Sequence, residues 1–473
     1  MSSFYALNAL DLNILEDNII SLIKKIALPA SIGFVFMTLY SVVDTYFAGT
    51  HISSNALAGI TYTFPIQLII MAFGMGITSG LTALTTKAMG EQQAGKAIKY
   101  LFNALMLVVG LSIMLGLLAW FGAKPIISSM GGSGEALQAG IEYLQITALG
   151  LPLMMFTYLL NTILSIQGDT KSFRNSVIFA FFLNCILNPV FILYFDWGVY
   201  GLAWATFIVQ IQSVIYLSYK SKNSELAKLI QNKFLEFDKK YISNILSQGL
   251  PSSLNTIAVS IQLFIMNYYV DKYAGPSAVA GMGAAFRVEQ LFIVPTIALS
   301  IAAMTIMGHN YGAGNISRIR ETFNKSISIG ATLIGTGCII IFAFGNEIVI
   351  LFDKTPEVVE FGIRYLNVSM VVMTSYAFIS ICTATLQSFQ KPLLPLIITF
   401  FRRVVLTLIF FEVSTTYLNM GIDGFIYSIM ILPWIGATIY MITTLTILRR
   451  KEREFNNSLM VAHGEANSMS PLS

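Results

Sequence analysis

Apolar residues in this chain run in long unbroken stretches rather than in the short patterns of a soluble fold. Twelve stretches stand out, at about residues 27–49, 57–86, 98–121, 139–166, 174–194, 200–219, 247–270, 279–308, 322–343, 361–387, 393–414 and 423–447. A helix needs about 20 apolar residues to cross a hydrocarbon core roughly 30 Å thick, and nearly every stretch reaches that length. Several exceed it, which predicts tilted helices or helices that extend past the bilayer. The runs lack the alternation of an outer-membrane barrel. The pattern therefore predicts an all-α integral membrane protein with twelve transmembrane helices.

The two halves repeat each other. Leu28-Pro29-Ala30-Ser31 returns as Leu250-Pro251-Ser252-Ser253, and Ala56-Leu57-Ala58-Gly59 as Ala278-Val279-Ala280-Gly281, both 222 residues on. Gly90 matches Gly312 and Leu164 matches Leu386 at the same offset. Gly198 and Gly201 match Gly421 and Gly424 with the offset grown by one. Six helices return the chain to its starting side, so the repeats must be parallel. Two six-helix lobes related by a pseudo-two-fold along the membrane normal follow, with a central cleft as the substrate path. The domains expected are an N-lobe at 1–219, a cytoplasmic amphipathic linker at 220–246, a C-lobe at 247–448 and a disordered cytoplasmic tail at 449–473. In the linker Leu226, Leu229, Ile230, Phe234 and Phe237 recur at helical spacing among lysines, the pattern of a helix lying on an anionic membrane face.

Composition agrees. Of 473 residues 55% are hydrophobic and 11% charged, against about a quarter charged in soluble domains. Alternate loops of one side carry 21 of the 28 Lys and Arg, which predicts cytoplasmic termini in a cell inner membrane protein. The N-terminal stretch carries Asp11, Glu16 and Asp17 before the first span, so it is not expected to be a cleaved signal peptide. Three cysteines and three histidines give neither a disulfide framework nor metal-ligand spacing. Gly90-Glu91-Gln92-Gln93-Ala94-Gly95-Lys96 approaches a P-loop, but Ala97 follows and no strand precedes it. Neither ATP hydrolysis nor any other enzymatic activity is expected.

Charge inside an apolar span is where function concentrates, because a carboxylate at the bilayer centre costs about 2.5–3.5 kcal/mol on insertion scales. Asp44, deep in the first span and one turn after Tyr40, is the first candidate. It can bind and release H+ or serve as a hard ligand for Na+; the alternative is an interfacial acid at a span end. Asn184 and Asn188 lie one turn apart, hence on one face, and Pro189 loosens the helix after them. Their oxygens can complete a cage around Na+ with Asp44, or simply join helices. Asn161 and Thr206 are further candidates. In the second half Arg287, two residues from Glu289, points elsewhere, so Glu289 can attract a cationic substrate or carry a second proton, with a structural ion pair to another helix as the alternative. Glu412 and the Arg402-Arg403 pair also fall within a span.

At these residues the sequence resembles the MATE (multidrug and toxic compound extrusion) family over about residues 20–448. The likeness rests on Val43-Asp44-Thr45, Ala56-Leu57-Ala58-Gly59, Gly90, Gln167-Gly168-Asp169-Thr170-Lys171 and Asn184-x-x-Leu187-Asn188-Pro189. It continues through Gly198-x-x-Gly201-x-Ala203-Trp204-Ala205-Thr206, Arg287-Val288-Glu289 and Gly308-x-Asn310-Tyr311-Gly312-Ala313-Gly314. The resemblance implies an antiporter in which an inward-moving cation, Na+ or H+, drives export of amphiphilic, often cationic compounds. Asp44 would be the coupling site, supported by Tyr40, Asn184, Asn188, Asn161 and Thr206, and Glu289 with Asp44 would meet substrate. Many members carry Asp where this chain has Asn188, which cannot ionise. The partners implied are small-molecule drugs or organic cations and membrane lipids, with no nucleic acid, in a monomer; no cofactor beyond the coupling ion is expected. The alternative is a lipid-linked or polysaccharide flippase, which would need several cationic groups in its cleft. A sensor that transports nothing is a third reading.

Overall fold

A computed structural model of the chain describes residues 13–47, 51–52, 54–129, 133–228, 236–350 and 355–468. Among them there is no strand. The helices are α1 (Ile19–Phe47), α2 (Ser54–Gly90), α3 (Ala94–Ser129), α4 (Gly134–Ile166), α5 (Lys171–Pro189), α6 (Gly198–Lys222), α7 (Glu225–Lys228), α8 (Lys239–Gly312), α9 (Ile316–Ile350) and α10 (Pro356–Ser388). Then follow α11 (Leu393–Phe400), α12 (Thr407–Phe411) and α13 (Gly421–Ser468). Helix α5 continues as a π-helical turn, Val190–Tyr194, while α11 and α12 are joined and extended by two more, Phe401–Leu406 and Glu412–Tyr417.

Among the described residues eleven helical stretches are long and apolar enough to cross a membrane. The 74 residues of α8 would measure about 110 Å at 1.5 Å per residue, far beyond one crossing. Gly275, with φ 80 and ψ 178, breaks it into 239–274 and 276–312, which completes the twelve spans expected from the apolar pattern.

The chain forms two compact units, one of residues 1–13, 24–85 and 93–257, the other of 14–23, 86–92 and 258–473. Backbone geometry repeats between them at the offset read from the sequence. Left-handed φ values occur at Gln92 and Gly314, Gly168 and Gln390, Asp196 and Asn419, and Gly198 and Gly421. The first two pairs differ by 222 and the last two by 223. Helix crossings repeat as well. A Cβ on Gly59 would come within 2.6 Å of Ala136 O, and one on Gly281 within 2.5 Å of Val358 O. Close backbone approach at small residues is what packs helices where lipid removes the hydrophobic drive between them.

The extra residue in the second unit has a visible place. Helix α5 is regular over 171–189, whereas its counterpart carries the π turn Phe401–Leu406. A π turn accommodates one inserted residue without breaking the helix, and this one lies between the last pair at 222 and the first at 223.

Two expectations need correcting. The tail does not lack structure from 449: α13 runs to Ser468, and Arg320 Nη1 donates to both oxygens of Glu452 at 2.8 and 2.7 Å. Nor is the linker one helix among its described residues: α6 runs into it to Lys222, 223–224 and 236–238 are not helical, and α8 starts at Lys239. Side chain–backbone bonds hold the linker down instead. Gln167 Oε1 accepts from Leu226 N at 3.1 Å, and Asn103 bonds to Glu236 O and Asp238 N at 3.0 and 2.9 Å. Leu229, Ile230, Lys233 and Phe234 of the expected amphipathic pattern lie outside the described residues.

Candidate functional site

Asp44 sits in the last turn of α1, one turn after Tyr40, so both side chains share a face. On α5 the same spacing places Asn184 and Asn188 together, just before Pro189 and the π turn. Hydrogen bonds join the two faces. Asn184 Nδ2 donates to Asp44 Oδ1 at 3.0 Å, and Asn188 Nδ2 donates to the same oxygen at 2.9 Å. Asn188 Nδ2 also reaches Asn184 Oδ1 at 3.1 Å. The Tyr40 hydroxyl donates to Thr206 Oγ1 on α6 at 3.0 Å, and Thr206 stands within hydrogen-bond reach of Asp44.

The two amides are fully buried and the carboxylate partly so. No Lys or Arg figures among the described groups that act on Asp44, which are amides and a hydroxyl. Neutral donors offset the cost of a buried carboxylate less completely than a counter-ion does. Asn188 Oδ1 is buried without a partner. An uncompensated carboxylate beside an unpartnered amide oxygen suits a proton or a hard monovalent cation, which prefer oxygen ligands. A transition metal fits poorly: no group of three His, Cys, Asp or Glu occurs among the described residues.

Five residues expected at this site, Tyr40, Asp44, Asn184, Asn188 and Thr206, are thus brought together. Asn161 is not among them; its Oδ1 accepts from Ser165 Oγ at 3.3 Å on its own helix. Sequence reasoning missed Tyr143 of α4, which is buried, lies within the field of Asp44 and hydrogen-bonds to Gln67. The internal repeat held the signal, because the offset of 222 pairs Gln67 with Glu289 and Tyr143 with Tyr365.

Glu289, on the second half of α8, is buried and hydrogen-bonds to Ser369 of α10, with Tyr365 and Tyr376 nearby. Arg287 is exposed, as its spacing from Glu289 predicts. Glu412 accepts from the Tyr269 hydroxyl at 2.6 Å, and Lys272 lies over the rings of Tyr269 and Tyr273.

The MatE family model matches residues 29–190 and again 251–411, and the two matches begin 222 residues apart. A "FAD transporter" of Shewanella oneidensis is 26% identical over 394 residues, covering 81% of this chain and 85% of its own length. "Multidrug export protein MepA" of Staphylococcus aureus is 25% identical over 411 residues, covering 86% of this chain and 89% of its own length. The fold matches a crystal structure of MATE in the straight conformation with a TM-score of 0.88 at 23% identity, over 93% of this chain and 98% of that one.

Proposed function

The chain belongs to the MatE family and is a multi-pass membrane transporter, and on that premise we propose that it is a cation-coupled antiporter exporting amphiphilic, often cationic organic compounds by alternating access. The observation that carries the reading is the carboxylate of Asp44, held by two buried amides and matched by no cation among the described residues. Binding of Na+ or H+ there would favour one conformation of the transporter and substrate the other, so that each ligand promotes release of its rival. Both amides turn their nitrogens to Asp44 rather than their oxygens, so a Na+ cage would need them to rotate, whereas H+ would need only the carboxylate. The S. aureus relative is named for multidrug export, which supports drugs as cargo. Glu289, buried and without an arginine partner among the described residues, would meet the cationic part of the substrate. The reading places the protein in the inner membrane with both termini cytoplasmic.

The test is ethidium efflux from proteoliposomes under an imposed Na+ gradient and, separately, an H+ gradient. Efflux driven by one ion identifies the coupling ion. Absence of gradient-driven efflux with either ion, in protein shown to be inserted, would overturn the proposal. The flippase alternative then gains weight only through its cationic groups. Of the four arginines within spans, Arg287 is exposed and Arg364 pairs with Asp423 in an exposed setting, which leaves Arg402 and Arg403.

A further inference from the structure

Two consecutive arginines stand in the π turn Phe401–Leu406, the turn that has no counterpart in the first unit. Thr407 Oγ1 donates to Arg402 O five residues back at 3.1 Å, in keeping with the wider turn. Arg402 is fully buried. Its side chain crosses Gly436 of α13 so closely that a Cβ there would overlap Arg402 Cδ. The glycine therefore makes room for the guanidinium, which is not there by default of space.

Two of the three nitrogens of that guanidinium go unanswered. Arg402 Nε and Nη2 are both buried with no partner. Arg403 donates to Gln262 of α8, a neutral acceptor. Arg403 and the phenols of Tyr376 and Tyr440 act on Arg402, and the same two phenols act on Arg403, with no carboxylate among them. Tyr440 is itself engaged with Thr399 and Pro395 O. Two cations thus share an apolar span with no compensating charge among the described residues. Such an arrangement is costly, and buried donors are rarely left unmet without a role. Arginine presents a planar fork whose geometry matches a carboxylate or phosphate. Helical π turns recur at functional sites because they redirect side chains into the space between helices.

We propose that Arg402 and Arg403 form an anion-binding site within the second unit, built to receive a phosphate, carboxylate or sulfonate group. Arg402 supplies the fork and Arg403, steered by Gln262, a second positive charge. The anion belongs either to a phospholipid headgroup or to a free anionic amphiphile. In both cases this arginine pair recognises a charge opposite to the one that Asp44 and Glu289 select, so the ligands of this protein extend beyond cations. Binding here needs no ion gradient and stands apart from the antiport proposed above.

The experiment is fluorescence anisotropy of fluorescein, an anionic dye, with the full-length protein in phosphatidylcholine nanodiscs and without any gradient. The parent should bind it. Arg402→Gln should weaken binding by about ten- to a hundredfold, the effect of losing one charged hydrogen bond, and Arg402→Lys by less. Size-exclusion elution and thermal unfolding establish that each variant is folded. Should Arg402→Gln not fold, Arg403→Gln, which changes a less buried side chain, is expected to show the same direction of loss. Nanodiscs doped with phosphatidylglycerol separate the two sources. Competition with fluorescein, and retention of that lipid by the parent but not by the variant, assign the site to headgroups. Undiminished fluorescein binding assigns it to a free anion. Parent protein that holds neither fluorescein nor phosphatidylglycerol, or variants that bind as the parent does, would overturn the site.

Discussion

The first unit carries its acid on α1 and surrounds it with amides; the second carries its acid on α8 and surrounds it with hydroxyls. Asp44 meets Asn184, Asn188 and Thr206, whereas Glu289 meets Ser369 beside Tyr365 and Tyr376. The internal offset shows that these are not copies of one site. It takes Asp44 to Met266 and, past the π turn, Asn184 and Asn188 to Thr407 and Phe411. Met266 and Phe411 are buried in one apolar cluster. In the other direction Glu289 corresponds to Gln67, Tyr365 to Tyr143 and Ser369 to Thr147. Four pairs of left-handed turns and the Gly59 and Gly281 crossings keep their places in both units, while the buried carboxylates do not. Scaffold positions are fixed by backbone geometry and tolerate little change. A buried charge depends on a few contacting side chains, so it is free to be placed differently in each unit.

The largest effect should come from Asp44→Asn. Ion-driven ethidium efflux is expected to fall by about 5- to 150-fold, the span of a coupling free energy of roughly 1–3 kcal/mol, with membrane insertion intact. Efflux at the parental rate would remove Asp44 from the coupling site. Next, Met266→Asp builds the first unit's acid at the matching place in the second. With Phe411 in place of an amide it should destabilise the protein by about 2.5–3.5 kcal/mol, read as a lowered Tm. An unchanged Tm would mean that the two positions are chemically alike after all. Third, Glu289→Gln makes the second unit resemble the first at Gln67. A loss of about tenfold in affinity for ethidium is expected, that of one charged hydrogen bond, with the dependence on the coupling ion preserved. If the ion dependence shifts instead, Glu289 belongs to coupling rather than to substrate. The smallest effect tests the scaffold. Gln92→Gly copies Gly314, and relief of about 1–2 kcal/mol of left-handed strain is set against about 0.5–1 kcal/mol of added chain entropy. The Tm should therefore rise by no more than a few degrees; a large fall would show that the turns are not interchangeable.

Much of this was legible in the linear chain. Twelve apolar stretches and the offset of 222 specify the spans and their duplication, because insertion into a membrane depends on the solvation of each segment by itself. Asp44 stood out for the same reason, as a carboxylate in an apolar context, and the four-residue spacing of Asn184 and Asn188 fixed their common face. The tertiary structure alone decided that these amides donate to Asp44 across 140 and 144 residues. It also decided that Asn161 turns to Ser165 and that Tyr143 joins the site. The π turn that absorbs the inserted residue and buries Arg402 against Gly436 was equally hidden, since an insertion leaves the apolar pattern intact. Segment chemistry is local and additive, so a sequence displays it. Which polar groups meet depends on how helices distant in the chain approach and rotate, and those choices are made only when the backbones pack.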